Sequence, residues 1–247
     1  MREFAFTVEF AKNSDAVTDV FIQYPDLLGN VLSISSSKSG TWQTFLVSGP
    51  QEGLESLDDV YLSHSNCNEC LGEHTACDAN WEYEIITETD GTRTYYSAID
   101  TGNVSYCHSI PYLANEYLGN GVLFDARRRE NRYEWRLLVR DDHTIGLLFD
   151  ALQTELPTGV TVTLEQIVSP ERWGSDASIV SDLPTAQRQT LLCAFDMGYY
   201  ETPRSVTTSD VADQLGLPTS TCRYRLRRAE SALVSVCEKI VPRRSSE

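Results

Sequence analysis

The spacing of apolar side chains along residues 1–168 alternates between the period of a strand and the period of a helix. Strand-like alternation occurs at 3–10, 31–37, 42–48, 81–88, 94–99, 122–129, 133–140 and 160–167. Helix-like spacing occurs at 16–25, 52–62, 110–118 and 144–156. The order β-α-β-β-α-β therefore occurs twice, which is typical of two ferredoxin-like units in tandem. We predict an α+β domain over residues 1–168, in which helices cover antiparallel sheets.

After residue 183 the apolar spacing is helical throughout. Apolar residues at 191, 192, 194 and 195 indicate a helix that ends near Gly198. A short helix follows within 207–217, with Thr208 or Ser209 as its N-cap and Gly216 just after its end. A longer helix begins directly after Pro218. We place an all-α domain at 183–247 and, from its composition, a linker at 169–182.

The longer helix has two distinct faces. An apolar stripe recurs every three or four residues at Cys222, Leu226, Ala229, Leu233, Val236 and Ile240. The complementary face carries Ser220, Arg223, Tyr224 and Arg227. A short helix, a glycine turn and a longer helix with an arginine-bearing N-terminal half form the helix-turn-helix plan, whose second helix enters the major groove of DNA.

The charge composition is that of a protein from a salt-rich cytoplasm. The 247 residues include 36 acidic and 20 basic side chains, a formal net charge of −16, and only three lysines, Lys12, Lys38 and Lys239. A strong excess of acidic groups keeps proteins soluble in high salt. There is no signal peptide and no apolar run of the length a membrane span requires. We expect a soluble cytoplasmic protein.

The positive charge is concentrated in the C-terminal part. Residues 1–180 carry a net charge of −17, whereas residues 181–247 carry +1. This asymmetry indicates contact between the C-terminal part and a nucleic acid. Double-stranded promoter DNA is the expected partner, and a homodimer is expected because helix-turn-helix proteins usually bind two half-sites. The candidate DNA-binding residues are Arg204, Ser220, Thr221, Arg223, Tyr224, Arg227 and Arg228.

Particular motifs give the C-terminal segment a family resemblance. They are Gln187, the run GYYETPR at 198–204, the run SDVADQLGL at 209–217, and RRAE at 227–230. Residues 183 to about 240 resemble the helix-turn-helix domain of the bacterio-opsin activator family of haloarchaeal transcription regulators. Pro184 and Pro218 depart from that pattern, since the family tends to have a Ser or Thr helix cap there. The resemblance also implies an N-terminal α/β regulatory region.

A cluster of cysteines lies in the N-terminal part. Cys67, Cys70 and Cys77 have the spacing C-x2-C-x6-C with His64 and His74 nearby, and Cys107–His108 follows thirty residues later. In a reducing cytoplasm such clusters are more often metal-binding or redox-active than structural. Cys67, Cys70, Cys77 and Cys107 could bind zinc or an iron–sulfur cluster, with His64, His74 or His108 as alternative ligands. A reversible thiol–disulfide switch and unliganded thiols are the alternatives.

The predicted function is that of a DNA-binding transcription regulator. Members of the family it resembles are associated with genes that respond to low oxygen or light, which implies oxygen or redox sensing through the cysteine cluster. The alternative is a ligand-binding regulator whose cysteine cluster is only a structural zinc site. No phosphate-binding loop or hydrolase motif occurs, and neighbours such as Cys107–His108 rarely form a catalytic pair. We therefore do not expect an enzyme.

Overall fold

All twelve elements predicted for the N-terminal part are present in the computed structural model, in the predicted order. The structure describes residues 1–63, 70–71, 79–100, 107–140, 144–154, 156–170, 173 and 183–240, without the side chains of residues 80 and 236–240. The elements are β1 (Arg2–Phe10), α1 (Ala16–Gln23), β2 (Leu28–Ser37), β3 (Gly40–Ser48), α2 (Gln51–Leu62), β4 (Asn80–Thr89), β5 (Thr92–Asp100), α3 (Ile110–Leu118), β6 (Leu123–Arg129), β7 (Arg132–Val139), α4 (Ile145–Gln153) and β8 (Val160–Val168).

The strands form one eight-stranded sheet rather than two separate ferredoxin-like sheets. Its order is β4-β5-β3-β2-β6-β7-β1-β8, and every neighbouring pair is antiparallel. In a ferredoxin-like unit the first strand lies between the third and the fourth. Here β5 lies between β3 and β4, while β1 lies between β7 and β8, so the two first strands have exchanged places. The prediction of two independent tandem units is therefore not confirmed.

A tight turn explains the exchange. Thr89 pairs with Thr92, and Gly91 between them has a φ of 90°. Such a short connection fixes β5 directly beside β4. The place between β3 and β4 is then filled by β5, and β1 pairs instead with β7 and β8.

The sheet has internal two-fold symmetry. Strands β1, β2, β3 and β4 correspond to β5, β6, β7 and β8. Exchanging each strand with its counterpart gives the same strand order, read from the other end of the sheet. The symmetry axis passes between β2 and β6, where Gly29 pairs with Arg128 and Asn30 pairs with Arg127. The edge strands β4 and β8 are therefore equivalent positions.

All four helices cover the same face of the sheet. Phe6 lies opposite Trp135, Gly29 lies opposite both Arg128 and Val47, and residues directly opposite share a face. One core packs α3 and α4 against β1, β7 and β8, and it includes Phe4, Phe6, Trp135, Leu137 and Leu148. The other packs α1 and α2 against β3, β4 and β5, and it includes Phe21, Phe45, Leu54, Leu57 and Tyr95.

Buried arginines link distant parts of this sheet. Arg128 on β6 is paired with Asp15, the N-cap of α1, and its guanidinium lies over the rings of Phe10, Phe21 and Tyr133. Arg93 on β5 is buried against Asp58 of α2, to which the Tyr95 hydroxyl also donates a hydrogen bond. Burial and this hydrogen bond raise the pKa of Tyr95.

The C-terminal part is a second compact unit, with the division between Trp173 and Gly174. It contains α5 (Thr185–Asp196), α6 (Thr208–Gln214) and α7 (Thr219–Ile240). The three helices pack around a small core of Ala194, Val211, Ala212, Cys222 and Leu226. Leu192 and Phe195, which helped to predict α5, are exposed, because Thr190 and Ala194 form the buried side of this helix.

The two ends of α6 are capped in different ways. Thr207, one or two residues before the predicted caps Thr208 and Ser209, is the N-cap and forms a capping box with Asp210. Hydrogen bonds from the Thr207 side chain and backbone hold the pKa of Asp210 below its usual range. Gly216 has a φ of 63° just after Leu215, as a glycine after a helix end should.

Candidate nucleic-acid interface and cysteine cluster

Burial along the first half of α7 follows the two faces expected from the sequence, whereas Leu233 is half-buried and the side chains of Val236 and Ile240 lie outside the described residues. Cys222, Leu226 and Ala229 are buried against α5 and α6. On the opposite side Ser220, Arg223, Tyr224 and Arg227 are exposed, as is Arg228, whereas Thr221 is only half-buried at the margin. This exposed group is called the α7 basic face below. A helix with one exposed polar face and one buried apolar face can place its N-terminal half in a DNA groove, while the apolar face packs against the rest of the domain.

The arginines of the α7 basic face differ from those of the N-terminal unit in their surroundings. Within the described part of the chain, no carboxylate forms an ion pair with Arg223, Arg227 or Arg228. In the N-terminal unit, by contrast, ion pairs join arginines to carboxylates at Arg93–Asp58, Arg128–Asp15, Arg129–Glu134, Arg132–Glu9 and Arg136–Glu3. The charge of α7 is thus left available for an external anion such as a phosphate.

The loop between α5 and α6 is fastened to α7. The Tyr200 hydroxyl donates a hydrogen bond of 2.7 Å to Glu230, and burial together with this bond raises the pKa of Tyr200. The Arg204 guanidinium lies 4.5 Å from the centre of the Tyr199 ring and is exposed. Sequence reasoning noted the GYYETPR run but did not identify Tyr199 and Glu230 as residues that position the loop and Arg204.

In the N-terminal unit, two of the candidate metal ligands come together. The Cys70 and Cys107 sulfurs are 3.8 Å apart and buried, with Trp81 and Tyr112 packed around them. Backbone pairing of Cys70 with Ser109, and a hydrogen bond from the Leu71 amide to the His108 carbonyl, hold the two segments together. The Cys107 thiol donates to the Ser109 hydroxyl.

Metal binding at this cluster stays a prediction. Cys70 is disulfide-bonded, so a metal could bind this sulfur only after reduction. Cys67, Cys77, His64 and His74 lie outside the described residues. Among the residues that the structure does describe, no group of three or more potential ligands is arranged around a common point. His108 is buried beside Cys107.

The remaining cysteines belong to the helical unit. Cys222 is buried in its core, where burial raises the pKa of the thiol, and Cys193 is half-buried against the same core. The side chain of Cys237 lies outside the described residues. The described pair thus occupies packing positions, as the apolar helix faces predict.

Comparison with known protein families agrees with the two units. The family described as HVO_2928_N, N-terminal, matches residues 3–173, which is more than half of the chain. A second family, described as HTH DNA binding domain, matches residues 183–235 and so includes the α7 basic face. The chain belongs to the HVO_2928_N family. Its C-terminal unit is a helix-turn-helix DNA-binding domain of the bacterio-opsin activator type.

One curated relative is similar over part of the chain. A protein of Haloferax volcanii named "Putative transcriptional regulator" is 34% identical over 101 residues. The match covers 40% of this chain but only 17% of the relative, so the chain spans less than a fifth of that protein's length. Among the described residues, no helix has both the length and the apolar character needed to cross a membrane.

Proposed function

We propose that this chain is a haloarchaeal transcription regulator that binds double-stranded promoter DNA through the α7 basic face. The observation that carries the proposal is the set of exposed arginines on α7 without ion-pair partners in the described chain, within a helix-turn-helix domain. The acidic, lysine-poor composition and the Haloferax relative support a haloarchaeal setting. Binding to promoters would occur in the cytoplasm.

The candidate DNA-binding residues divide by the contacts they could make. Arg223 and Arg227 are one helical turn apart, and their planar guanidinium groups suit bidentate contacts with guanine. Ser220, Thr221 and Tyr224 lie near the same end of α7 and would contact base edges or phosphates. Arg204 and Arg228 would contact phosphates, which orient the protein without reading sequence.

The salt of a haloarchaeal cytoplasm favours a homodimer. Screening shortens the Debye length to about 3 Å at 1 M salt, so phosphate contacts contribute little affinity. Base contacts from two half-sites would compensate for this loss. The homodimer is therefore part of the proposed function.

The cysteine cluster is the proposed sensory site, with Cys67, Cys70, Cys77 and Cys107 as ligands of zinc or an iron–sulfur cluster in the reduced protein. Two thiolates bound to one tetrahedral zinc ion at about 2.3 Å lie roughly 3.8 Å apart. The Cys70 and Cys107 sulfurs already have that separation. Dioxygen would take two electrons from Cys70 and a second cysteine and join them in a disulfide, which removes thiolate ligands and would release the metal, while Cys107 stays a thiol.

A ligand-binding regulator is the second candidate, and a specific cleft supports it. The cleft has a volume of about 300 Å³ including its mouth and lies where the two halves of the sheet meet. Phe21, Tyr61 and Tyr133 line it beside the buried Arg128. That volume includes open solvent, and the enclosed space has room for only about one water molecule, so the cleft would have to widen to admit a ligand. In this version the cysteine cluster would be only a structural zinc site.

Metal content distinguishes these two versions. Protein purified without oxygen in multimolar salt would be assayed for iron, acid-labile sulfide and zinc, and a Cys107→Ser variant would be assayed in parallel. Iron and sulfide that are lost in air, and reduced in the variant, would support sensing by a cluster. Stoichiometric zinc that survives oxidation would support the structural site. Absence of all three from freshly reduced protein would contradict metal binding altogether.

Selection from genomic DNA tests the DNA-binding proposal. Sheared haloarchaeal DNA would be incubated with the immobilised protein in multimolar potassium chloride, and the bound fragments would be sequenced. We expect enrichment of regions upstream of genes. A double variant, Arg223→Ala with Arg227→Ala, should lose the enrichment, whereas Arg129→Ala removes a paired arginine from the other unit and should retain it. Equal enrichment by all three proteins would contradict the proposal.

A further inference from the structure

The edge of the N-terminal unit formed by β8 and α4 differs from the equivalent edge formed by β4 and α2. Both β4 and β8 are edge strands of the sheet, and the internal two-fold axis relates them. Edge strands expose unpaired backbone groups, and proteins commonly protect them with charged side chains. The two edges would therefore be expected to carry similar protection.

Charged side chains are numerous on one edge and almost missing from the other. Neither edge carries a basic residue. The β4–α2 edge has seven acidic residues: Glu52, Glu55, Asp58, Asp59, Glu82, Glu84 and Glu88. The β8–α4 edge has two, Asp150 and Glu165. In a chain with a net charge of −16, an edge with so few acidic groups indicates a surface that is covered.

The second half of β8 is also the apolar part of that edge. A bulge at Glu165 leaves Leu164 opposite Phe6 and Ile167 opposite Phe4, so both lie on the helix-bearing face. Each is 42% exposed, Val168 is 37% exposed, and Leu147 of α4 is 55% exposed. Near the start of the strand, the Gln153 side chain donates to the Val162 carbonyl and covers part of the edge. Among the described residues, the part of this edge left uncovered is therefore 163–168.

We infer that residues 163–168 of β8, with α4 beside them, form the surface through which two copies of this chain associate. The two β8 strands would pair antiparallel across a two-fold axis and extend the sheet from one copy into the other. This inference rests on the proposed homodimer and names the surface that forms it. Glu165 is a weak obstacle to the pairing, because it lies 3.7 Å from Arg132, although Arg132 also pairs with Glu9 and Glu134 and so offsets only part of its charge.

The charges favour this pairing over the other two arrangements of edges. Pairing of β4 with a second β4 would bring the exposed glutamates of both strands together, and like charges directly opposite are destabilising. Pairing of β8 with β4 would be head-to-tail and could continue without limit into filaments. Pairing of β8 with β8 is self-complementary and closed, as a protein that binds two DNA half-sites requires.

Charge substitutions on the two edges test the inference. Light scattering coupled to gel filtration in multimolar potassium chloride would be used to measure the mass of the wild-type chain, Ile167→Glu and Ile86→Glu. Ile86 is the exposed isoleucine of β4 and provides the matched control. Since each substitution occurs twice in a dimer, we expect Ile167→Glu to raise the dimer dissociation constant roughly 100-fold. Ile86→Glu should leave it unchanged, and Ile167→Val should restore dimers.

Two outcomes would overturn the inference, and they differ in what else they affect. If the wild type and Ile167→Glu are both dimers, the surface is wrong but the proposed homodimer stands. If the wild type is a monomer while still binding selected DNA, both the surface and the homodimer fail and DNA binding stands. If the Ile167→Glu variant does not fold, hydrogen exchange of the wild-type protein tests the surface instead. Backbone amides at 163–168 must then exchange more slowly in concentrated than in dilute protein, with no change at 80–89.

Discussion

Arginine has different roles in the two units of this protein. In the N-terminal unit Arg93, Arg128 and Arg136 are held by carboxylates distant in sequence, and their charge contributes to the fold. In α7 the arginines of the basic face are exposed and have no such partners in the described chain. The sequence indicates the second group, because clustering is visible along the chain. It does not indicate the first, because Asp15 and Arg128 are 113 positions apart.

Removal of Arg128 should destabilise the N-terminal unit. An Arg128→Met variant keeps the apolar contacts with the surrounding rings but leaves the Asp15 carboxylate buried beside them. We expect a loss of about 3 kcal/mol in the free energy of unfolding, since breaking a buried pair leaves an uncompensated charge. Urea unfolding monitored by tryptophan fluorescence measures this. Arg129→Met, one residue along the same strand and half-buried, should change the free energy by less than about 0.5 kcal/mol; equal losses would show that the Asp15 pair is unimportant.

At the scale of elements, local patterns predict helices and strands well and their arrangement poorly. The twelve N-terminal elements follow from the period of apolar residues, and the hairpin turn at 89–92 follows from its sequence. The strand order does not, because β1 and β5 have similar apolar patterns and either could pair at either place. The N-cap of α6 was placed one or two residues too late, since Thr207, Thr208 and Ser209 are all suitable caps and only geometry selects Thr207.

Gly216 is the residue on which the turn between α6 and α7 depends. Its φ of 63° is unfavourable for residues with a side chain, although open space surrounds the position of an added Cβ. Gly216→Ala should therefore destabilise the C-terminal unit by about 1 kcal/mol through backbone conformation alone. Thermal unfolding followed by far-ultraviolet circular dichroism measures this. Gly216→Asn should cost less, because asparagine tolerates this conformation better; an alanine variant as stable as wild type would contradict the assignment.

The capping box of α6 should make the N-terminal end of this helix sensitive to acid. The pKa of Asp210 is lowered in the folded protein, so its contribution is present above the ordinary aspartate value of about 3.9 and is lost as the pH falls through the lowered value. An NMR titration of the Asp210 carboxyl group measures the folded pKa directly. Thr207→Ala removes the hydrogen bonds of the Thr207 side chain and should raise that pKa. A titration midpoint at or above the ordinary value in the wild type would refute the cap.

For the whole molecule, the division of charge between the two units determines how each responds to salt. Residues 1–180 carry a net charge of −17 and residues 181–247 carry +1. Self-repulsion of the acidic part is screened only at high ionic strength. The α7 basic face requires an environment in which DNA can compete with counterions. If DNA binds at the proposed face, one chain combines a unit that salt stabilises with an interface that salt weakens.

Dilution of salt should unfold the N-terminal unit first. All four tryptophans, Trp42, Trp81, Trp135 and Trp173, lie in that unit, so tryptophan fluorescence reports on it alone. We expect its thermal midpoint to fall steeply between multimolar and submolar potassium chloride. The helical unit should give a second unfolding transition in circular dichroism, at a temperature above the fluorescence transition. The thermal midpoint of this second transition should fall much less as salt is diluted. If the fluorescence and circular dichroism midpoints fall equally with dilution, the charge of the N-terminal unit does not explain its salt dependence.

The most direct test of the account is the salt dependence of DNA binding through the α7 basic face. Fluorescence anisotropy would measure affinity for a duplex recovered by genomic selection, over a series of potassium chloride concentrations. The proteins compared would be the wild type, the Arg223→Ala and Arg227→Ala double variant, and Arg129→Ala. We predict that the double variant loses affinity by roughly tenfold or more at every salt concentration, and that its slope of log affinity against log salt changes by less than about one unit, because these arginines are assigned to guanine and not to phosphate. Arg129→Ala should match the wild type in both. A double variant with unchanged affinity and an unchanged slope would show that DNA does not bind at this face.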